Sequence, residues 1–474
     1  MSNSSITILV AFLLYLLFML LIGWYFYRRT ETVNDYIIAG RGLNSWVTSL
    51  SAQASDMSGW LMMGLPGYAY AVGLESFWIA LGLFVGTYLN WRFIAKRLRE
   101  DTEKQNAITI PGYFDSKYPN NHHSIRIIAS IFIIIFFLIY TSSGFVAGAK
   151  LFHSIFNLNY QLSLVITAII IVGYTFMGGL NAVSWTDLFQ GILMFVAIIA
   201  VPIISFLIIE KRGDFFNELA VNYPDHLLFI KRNTSFWAAS IVILSNLGWG
   251  LGYFGQPHIL TRFMAIKHSG LVKRSRRIAI VWVAFSLGFA VIAGLIGRVY
   301  FQKGIADPES VFLLLANDNF HPVFAGIMLA AILAAVMSTA DSQLLVTSSS
   351  VSEDLLKIIS KRIIPDKILL LVSRIAVLIV ALISIGIAWN PDNSVLGLVS
   401  YAWAGFGATF GPLLLLTLYW KRMTTCGAIA AIVSGALTVL FWKQFKGGIF
   451  ELYEIIPGFI VSLIFGVSFS FKNK

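Results

Sequence analysis

The sequence predicts an all-α integral membrane protein with about 13 transmembrane helices. The 474 residues are 58% hydrophobic and only 12% charged, about half the charged fraction of a soluble domain. The apolar runs are long enough to cross about 30 Å of hydrocarbon. They lack the short, alternating pattern of barrel strands, so membrane helices explain the composition best.

Thirteen apolar segments carry this prediction. In chain order they span residues 6–27, 44–72, 76–97, 124–153, 160–180, 185–210, 236–260, 277–302, 323–346, 368–389, 395–420, 424–442 and 452–471.

The basic residues set the predicted orientation. An outside N-terminus and a cytoplasmic C-terminus place 25 of the 34 Lys and Arg residues in cytoplasmic stretches, including the cluster RFMAIKHSGLVKRSRR. The first segment has no basic start and no clear cleavage site, so we expect a retained helix rather than a signal peptide. Membrane topology thus explains the net charge of +11 without nucleic acid.

Two segments are interrupted by glycine and proline: SAQASDMSGWLMMGLPG at 51–67 and SNLGWGLGYFGQPHIL at 245–260. In lipid, the freed backbone groups must be satisfied by protein or by a water-filled cavity. Close helix packing of small residues is the alternative explanation. We expect both breaks to be interior, where freed carbonyls can bind a cation.

The spacing of the two breaks predicts an inverted repeat. They fall in the second and seventh segments, and an odd separation of five makes the corresponding helices run in opposite directions. The predicted organisation is a peripheral first helix and cytoplasmic loop (1–43), a first repeat of five helices (44–210), an extracellular loop (211–235), a second repeat of five (236–420) and two peripheral C-terminal helices (421–474).

Three of the carboxylates in the apolar segments stand out, because an unpaired charge inside a membrane costs several kcal/mol. They are Asp56, Asp187 and Asp341. Asp341 shares a helical face with hydroxyls in MSTADS, an oxygen set suited to a hard cation. The alternatives are hydroxyls that bond their own helix, and carboxylates that reach a helix end.

Five strings in order resemble the sodium/solute symporter family, closest to its bacterial sodium/proline branch: SAQASDMSGWLMMGLPG, GWGLGYFGQPHIL, AAVMSTADSQLL, GLVSYAWAGFGATFGP and YEIIPGF. The resemblance covers nearly the whole chain. It implies the LeuT-type fold, a five-plus-five inverted repeat with one helix before it and two after it.

The resemblance also implies site residues. Sodium would be held by the backbone carbonyls of Ala54, Met57 and Ala335 and the hydroxyls of Ser338 and Thr339. Asp56 matches an acidic residue needed for sodium coupling, with a side chain that organises the break rather than touching the ion. The substrate-binding set would be Tyr140, Trp249, Tyr253 and Trp60, helped by Gln256 and Pro257. Asp187, Asp341 and Ser342, beside Ser338, match a second cation site that some members use.

The predicted function is secondary active transport, coupling inward sodium movement to L-proline uptake by alternating access. The expected partners are L-proline, sodium and the lipid bilayer of a bacterial-type plasma membrane, without nucleic acid or an obligatory protein partner. Another amino acid, a sugar or an organic acid is the alternative substrate, and a channel or sensor the alternative class.

The sequence gives no sign of an enzyme. It contains neither a phosphate-binding G-x-x-x-x-G-K-[ST] string nor an evident nucleophile–base arrangement. Its single cysteine, Cys426, excludes an intrachain disulfide framework, and no haem or metal spacing is evident. We therefore expect no cofactor, and sodium only as a co-transported ion.

Overall fold

The computed structural model describes residues 3–27, 32–120, 122–175, 179–360 and 364–471. These residues form helices without a named strand; their one isolated β-bridge joins Leu43 to Ile266. Six of the basic residues assigned to the cytoplasmic side lie outside the described residues: Arg28, Arg29, Lys361, Arg362, Lys472 and Lys474.

The first half of the chain runs as far as the loop after the sixth predicted segment. Its helices are α1 (Asn3–Tyr27), α2 (Val33–Ile38), α3 (Ser45–Asp56), α4 (Leu65–Val72), α5 (Phe77–Leu89), α6 (Ala95–Lys104), α7 (Ile110–Lys117), α8 (Ser124–Phe156), α9 (Tyr160–Thr175), α10 (Leu180–Glu210) and α11 (Phe215–Asn222).

The second half begins with the other interrupted segment. Its helices are α12 (Phe236–Gly248), α13 (Pro257–Ala265), α14 (Val272–Tyr300), α15 (Val311–Asn319), α16 (Pro322–Ser349), α17 (Lys357–Ser360), α18 (Asp366–Ile387), α19 (Val395–Tyr419), α20 (Thr425–Trp442) and α21 (Ile455–Phe471).

Every predicted apolar segment coincides with helical structure. Ten helical stretches of the described residues are long and apolar enough to cross a membrane, and α9 and α21 are shorter apolar helices. The pair α3–α4 is interrupted, so neither part reaches spanning length alone. The all-helical membrane fold is confirmed, while the count of thirteen spans stays a prediction.

The first break follows Asp56. Met57 leaves the helical region of backbone space (φ −86°, ψ 74°), and a wide π-type turn from Trp60 to Gly64 leads into α4. Every residue from Ser45 to Gly67 except Trp46 is buried. The irregular backbone therefore lies inside the protein, as lipid requires.

The second break lies between α12 and α13. A 3₁₀ stretch covers Trp249–Gly255, Gln256 is extended, and Pro257 opens α13 at the position where its missing N–H costs least. A side chain on Gly252 would overlap the indole of Trp403. This glycine therefore lets α19 approach the broken segment closely.

Helix α16 forms the centre of the bundle. Every residue from Leu329 to Leu345 is buried, whereas α1 exposes apolar side chains on its outer face. A helix buried all round must place its polar groups against other helices, because no solvent reaches them. The hydroxyls of Ser338 and Thr339 therefore face α3, and that of Ser342 faces α13.

Candidate functional site: an ion cluster and an aromatic cage

Four of the five predicted sodium ligands meet between the end of α3 and the middle of α16. The Ser338 hydroxyl donates to the carbonyl of Ala54 at 2.8 Å and to that of Ala335 at 3.2 Å. The Thr339 hydroxyl donates to Ala54 at 3.3 Å. All four residues are buried, so neutral oxygens converge inside the protein.

The break explains why the Ala54 carbonyl is free. In a continued helix the N–H of Ser58 would bond Ala54; here it bonds the Asp56 carbonyl at 3.0 Å. The last carbonyls of a helix have no N–H partner within that helix. Here the hydroxyls of α16 donate to the Ala54 carbonyl instead. A cation held here would replace these hydrogen bonds and meet the hydroxyl lone pairs.

Met57, the fifth predicted ligand, lies at the break itself. Its N–H donates to the carbonyl of Gln53 at 2.8 Å, which closes the last turn of α3. In the part of the chain that the structure describes, no hydrogen bond joins Met57 to the other four residues. Its role as an ion ligand stays a prediction.

Asp56 is tied to the aromatic residues. Its carboxylate accepts from the Tyr253 hydroxyl at 2.6 Å, and its backbone carbonyl accepts from the Tyr140 hydroxyl at 3.2 Å and the Trp60 indole at 3.1 Å. The residue is fully buried. Asp56 thus links the broken helix α3 to α8 and to the second break.

Four of the predicted substrate residues form an aromatic cage around the two breaks. The rings of Trp60 and Trp249 lie 6.3 Å apart. Tyr140 and Tyr253 both bond Asp56, one through its carbonyl and one through its carboxylate. Gln256 donates instead to the carbonyl of Gly252 at 3.2 Å and to that of Trp403 at 3.3 Å, so it supports the bend at the break.

The sequence missed two members of this cage. Trp403 packs edge-on against Tyr253 with ring centres 5.0 Å apart, and its indole donates to the Trp249 carbonyl at 2.7 Å. Tyr453 stacks on Trp249 at 5.5 Å. Both belong to strings that carry the family resemblance, which was the available signal. Neither string says which aromatic residue faces the breaks.

His258 was also missed. It is fully buried on α13, with its ring 5.9 Å from that of Tyr140 and 5.6 Å from that of Phe137. Within the described residues neither ring nitrogen has a hydrogen-bond partner. Buried polar groups normally have one, so His258 is available to a ligand.

The candidate second cation site contains an arginine. The carboxylate of Asp187 accepts from the Ser51 hydroxyl at 2.6 Å and from the Arg262 guanidinium at 3.2 Å. Arg262 also donates closely to the Ser342 hydroxyl. Ser342 donates to Asp341 at 3.3 Å, so the three predicted residues do assemble, with Arg262 among them.

The sequence had assigned Arg262 to a cytoplasmic stretch, but its side chain is fully buried. Besides Asp187, it donates to Ser51 at 3.0 Å and to the His258 carbonyl at 2.9 Å. A guanidinium can leave water when a carboxylate and several acceptors surround it. Because Arg262 stands in a sequence stretch rich in basic residues, the sequence alone could not show that its side chain is buried.

Comparison with known proteins identifies the family. The model of the sodium:solute symporter family matches residues 36–435. The chain is 47% identical to the "Osmoregulated proline transporter OpuE" of Bacillus subtilis (strain 168), over 99% of this chain and 96% of that protein. It is 45% identical to the "Sodium/proline symporter" of Staphylococcus aureus (strain JH9), over 98% and 92% of the two chains.

A solved structure supports the fold. A sodium-coupled sialic acid symporter, described as substrate-bound and outward-open, superposes with a TM-score of 0.80 at 19% identity, covering 98% of both chains. At that identity the likeness concerns the fold alone. Together with the family match it confirms the LeuT-type architecture, and this multi-pass membrane protein belongs to the sodium:solute symporter family.

Proposed function

We propose that this protein couples inward sodium movement to the uptake of L-proline across the plasma membrane. The observation that carries the proposal is the cluster of neutral oxygens at the first break, beside an aromatic cage. The carbonyl of Ala54 and the hydroxyl of Ser338 lie 2.8 Å apart, and Asp56, two residues after Ala54, bonds Tyr253. An ion that orders this break therefore also orders the cage.

The cage suits a proline zwitterion. Trp60, Trp249 and Trp403 offer flat apolar faces to the pyrrolidine ring, and aromatic faces attract an ammonium group. One carboxylate oxygen of Asp56 and both nitrogens of His258 are buried without a partner within the described residues. A zwitterionic ligand would supply partners of both signs.

Alternating access needs closures at both ends of the broken helix α3–α4. Before α3, Arg41 donates to the carbonyls of Met264 at 2.9 Å and Ala107 at 2.8 Å. Beyond α4, Glu309 accepts from the backbone N–H groups of Val395 and Leu396, both at 2.9 Å. We assign these contacts to the inner and outer closures, respectively.

Coupling then follows from linkage. If sodium and proline stabilise the same closed arrangement, each raises the affinity of the other by the same factor. The membrane potential adds about 2.3 kcal/mol per 100 mV for each sodium charge that enters. Opening of the Arg41 contacts would release both to the cytoplasm.

Labelled L-proline uptake into proteoliposomes, with and without an inward sodium gradient, tests the proposal. We expect uphill accumulation only with the gradient. Equal uptake in both conditions, or none in either, would refute it. If labelled L-proline does not enter while another labelled amino acid, sugar or organic acid accumulates with the gradient, the alternative substrate class holds.

The proposed orientation places the N-terminus outside and the C-terminus in the cytoplasm. Cys426, the single cysteine, is exposed at the start of α20 beside the basic residues Lys421 and Arg422. A membrane-impermeant maleimide should label it only after cells are permeabilised. Labelling of Cys426 in intact cells would show that the proposed orientation is wrong, with the start of α20 facing outside.

A further inference from the structure

An apolar groove runs along the outer surface between α3, α10 and α14. It has a volume of about 440 Å³, and its walls include Leu50, Ile192, Phe195 and Val281. Ile192 is 48% exposed and Val281 56% exposed, so the groove opens toward lipid. Every lining side chain is apolar except Arg277. Hydrocarbon is the natural occupant of such a surface.

A second pocket adjoins the groove at one end. It measures about 330 Å³ and is lined partly by polar residues, among them Asn44, Ser45 and Arg274. Trp46 lines both the groove and this pocket. Trp185 also contributes, and tryptophan favours the level of the lipid headgroups. The two pockets together form one amphipathic site.

The polar end of the site carries unpaired positive charge. Arg274 and Arg277 are three residues apart on α14, so both lie on one side of the helix. Both are exposed, and within the described residues neither has a hydrogen-bond or ion-pair partner. Lys273 and Arg276 stand beside them, and the stretch 272–277 contains no acid.

We infer that an anionic phospholipid binds here, with one acyl chain in the groove and its phosphate between Arg274 and Arg277. Guanidinium groups bind phosphate through paired, charge-assisted hydrogen bonds. Basic pockets between membrane helices are suited to anionic headgroups. The inference goes beyond the transport of proline, because the site faces lipid, outside the cage.

Topology alone does not explain the arrangement. The positive-inside tendency accounts for basic residues on this side of the membrane, but not for their position at the mouth of a groove. A free phosphate ion would use the arginines and leave the apolar walls without a role. The groove also lies against α3, whose last turn supplies the Ala54 carbonyl to the ion cluster.

Native mass spectrometry of the full chain tests the inference. The protein is equilibrated with vesicles of phosphatidylcholine and phosphatidylglycerol, and the retained lipids are counted. We expect one strongly retained phosphatidylglycerol in the parent. The double variant Arg274→Gln/Arg277→Gln should retain it about 25-fold less, since a basic residue near the surface contributes about fivefold.

Two further variants separate the site from general charge. Lys421→Gln/Arg422→Gln removes two exposed basic residues elsewhere and should retain phosphatidylglycerol like the parent. Val281→Trp fills the groove without changing charge and should weaken retention. Equal losses in both charge variants, or full retention in Val281→Trp, would overturn the proposal.

Competition and transport complete the test. Soluble glycerol phosphate should not displace the lipid; displacement would reduce the site to a phosphate site and overturn the proposal. Equal retention of phosphatidylcholine would also do so, because headgroup charge would then be irrelevant. Lipid retention is measured without any transport. A failure of sodium-driven proline uptake would therefore refute the proposed function and would not affect the lipid-binding inference.

Discussion

Two buried polar clusters lie one helical turn apart on α16, and they differ in charge. The cluster around Ser338 contains only neutral oxygens, from Ala54, Ala335 and Thr339. The cluster around Ser342 contains carboxylates and already holds a guanidinium. The two are joined, because the Ser342 hydroxyl donates to the Ser338 carbonyl at 2.7 Å.

The two clusters differ in whether the protein itself supplies a positive charge to the oxygen ligands. The neutral cluster gathers oxygen ligands without any positive partner, so an ion from solution can complete it. In the charged cluster, Arg262 supplies the positive charge to Asp187 at 3.2 Å. We propose that this guanidinium takes the place of a second ion. We therefore expect one transported sodium ion.

The largest expected effect comes from removing the internal cation. Arg262→Met leaves Asp187 buried without its charged partner, which typically costs about 3–5 kcal/mol. We expect a clear fall in the unfolding temperature of the purified protein. Adding Asp187→Asn should restore part of it, because the carboxylate that Arg262 pairs with is then neutral. If Arg262→Met alone is as stable as the parent, Arg262 does not stabilise the buried Asp187 carboxylate, and the proposed difference between the two clusters is wrong.

The next effect concerns the neutral cluster. Ser338→Ala or Thr339→Ala removes an ion ligand, and a hydrogen bond to a charged group contributes about 1.5–3 kcal/mol, or about 10- to 150-fold. The sodium concentration for half-maximal proline uptake should rise accordingly. Thr347→Ala is the matched control, because this hydroxyl is buried on the same helix and, among the residues that the structure describes, bonds only the Gln343 carbonyl one turn earlier. If Ser338→Ala and Thr339→Ala require the same sodium concentration as the parent, the sodium ion does not bind at this cluster.

A smaller effect is expected in the aromatic cage. Trp249→Phe keeps an aromatic ring but loses part of the stack with Tyr453, and such pairs contribute about 0.5–1.5 kcal/mol. The KM for proline should rise several-fold with little change in the sodium requirement. Trp389→Phe, at an exposed position, should leave both unchanged. A shift in sodium dependence alone would assign Trp249 to the ion rather than to the substrate.

The smallest expected effect sharpens the comparison. Asp341→Asn preserves the shape of the side chain and an oxygen for the Ser342 hydroxyl. If Arg262 serves as the only cation of this cluster, sodium titration of uptake should move less than about twofold, within about 0.4 kcal/mol. A change in the number of sodium ions per proline would identify Asp341 as a second ion ligand.

The sequence predicted the features that local chemistry determines. Glycine and proline interrupt helices wherever they occur, so both breaks were located to within a few residues, at Met57 and at Gln256. The spacing in MSTADS placed Ser338, Asp341 and Ser342 on one face of α16. The contact of Ser338 and Thr339 with Ala54 was implied by the family resemblance, and in the structure these residues do converge.

Features that depend on long-range packing were not accessible. Arg262 stands in a basic string, and only the fold brings Asp187 to within 3.2 Å of it. Trp403 and Tyr453 reach the cage from distant segments, and one aromatic residue among many gives no local signal. The loop at 211–235 was expected only as a connection, yet it contains α11, whose Phe215 and Leu219 are buried.

Equilibrium binding of radioactive sodium to the purified protein tests the central claim most directly. We predict one sodium ion per chain, with affinity raised by proline, lost in Ser338→Ala/Thr339→Ala and retained in Thr347→Ala. Two ions per chain, or parent-like binding in the double variant, would contradict the account.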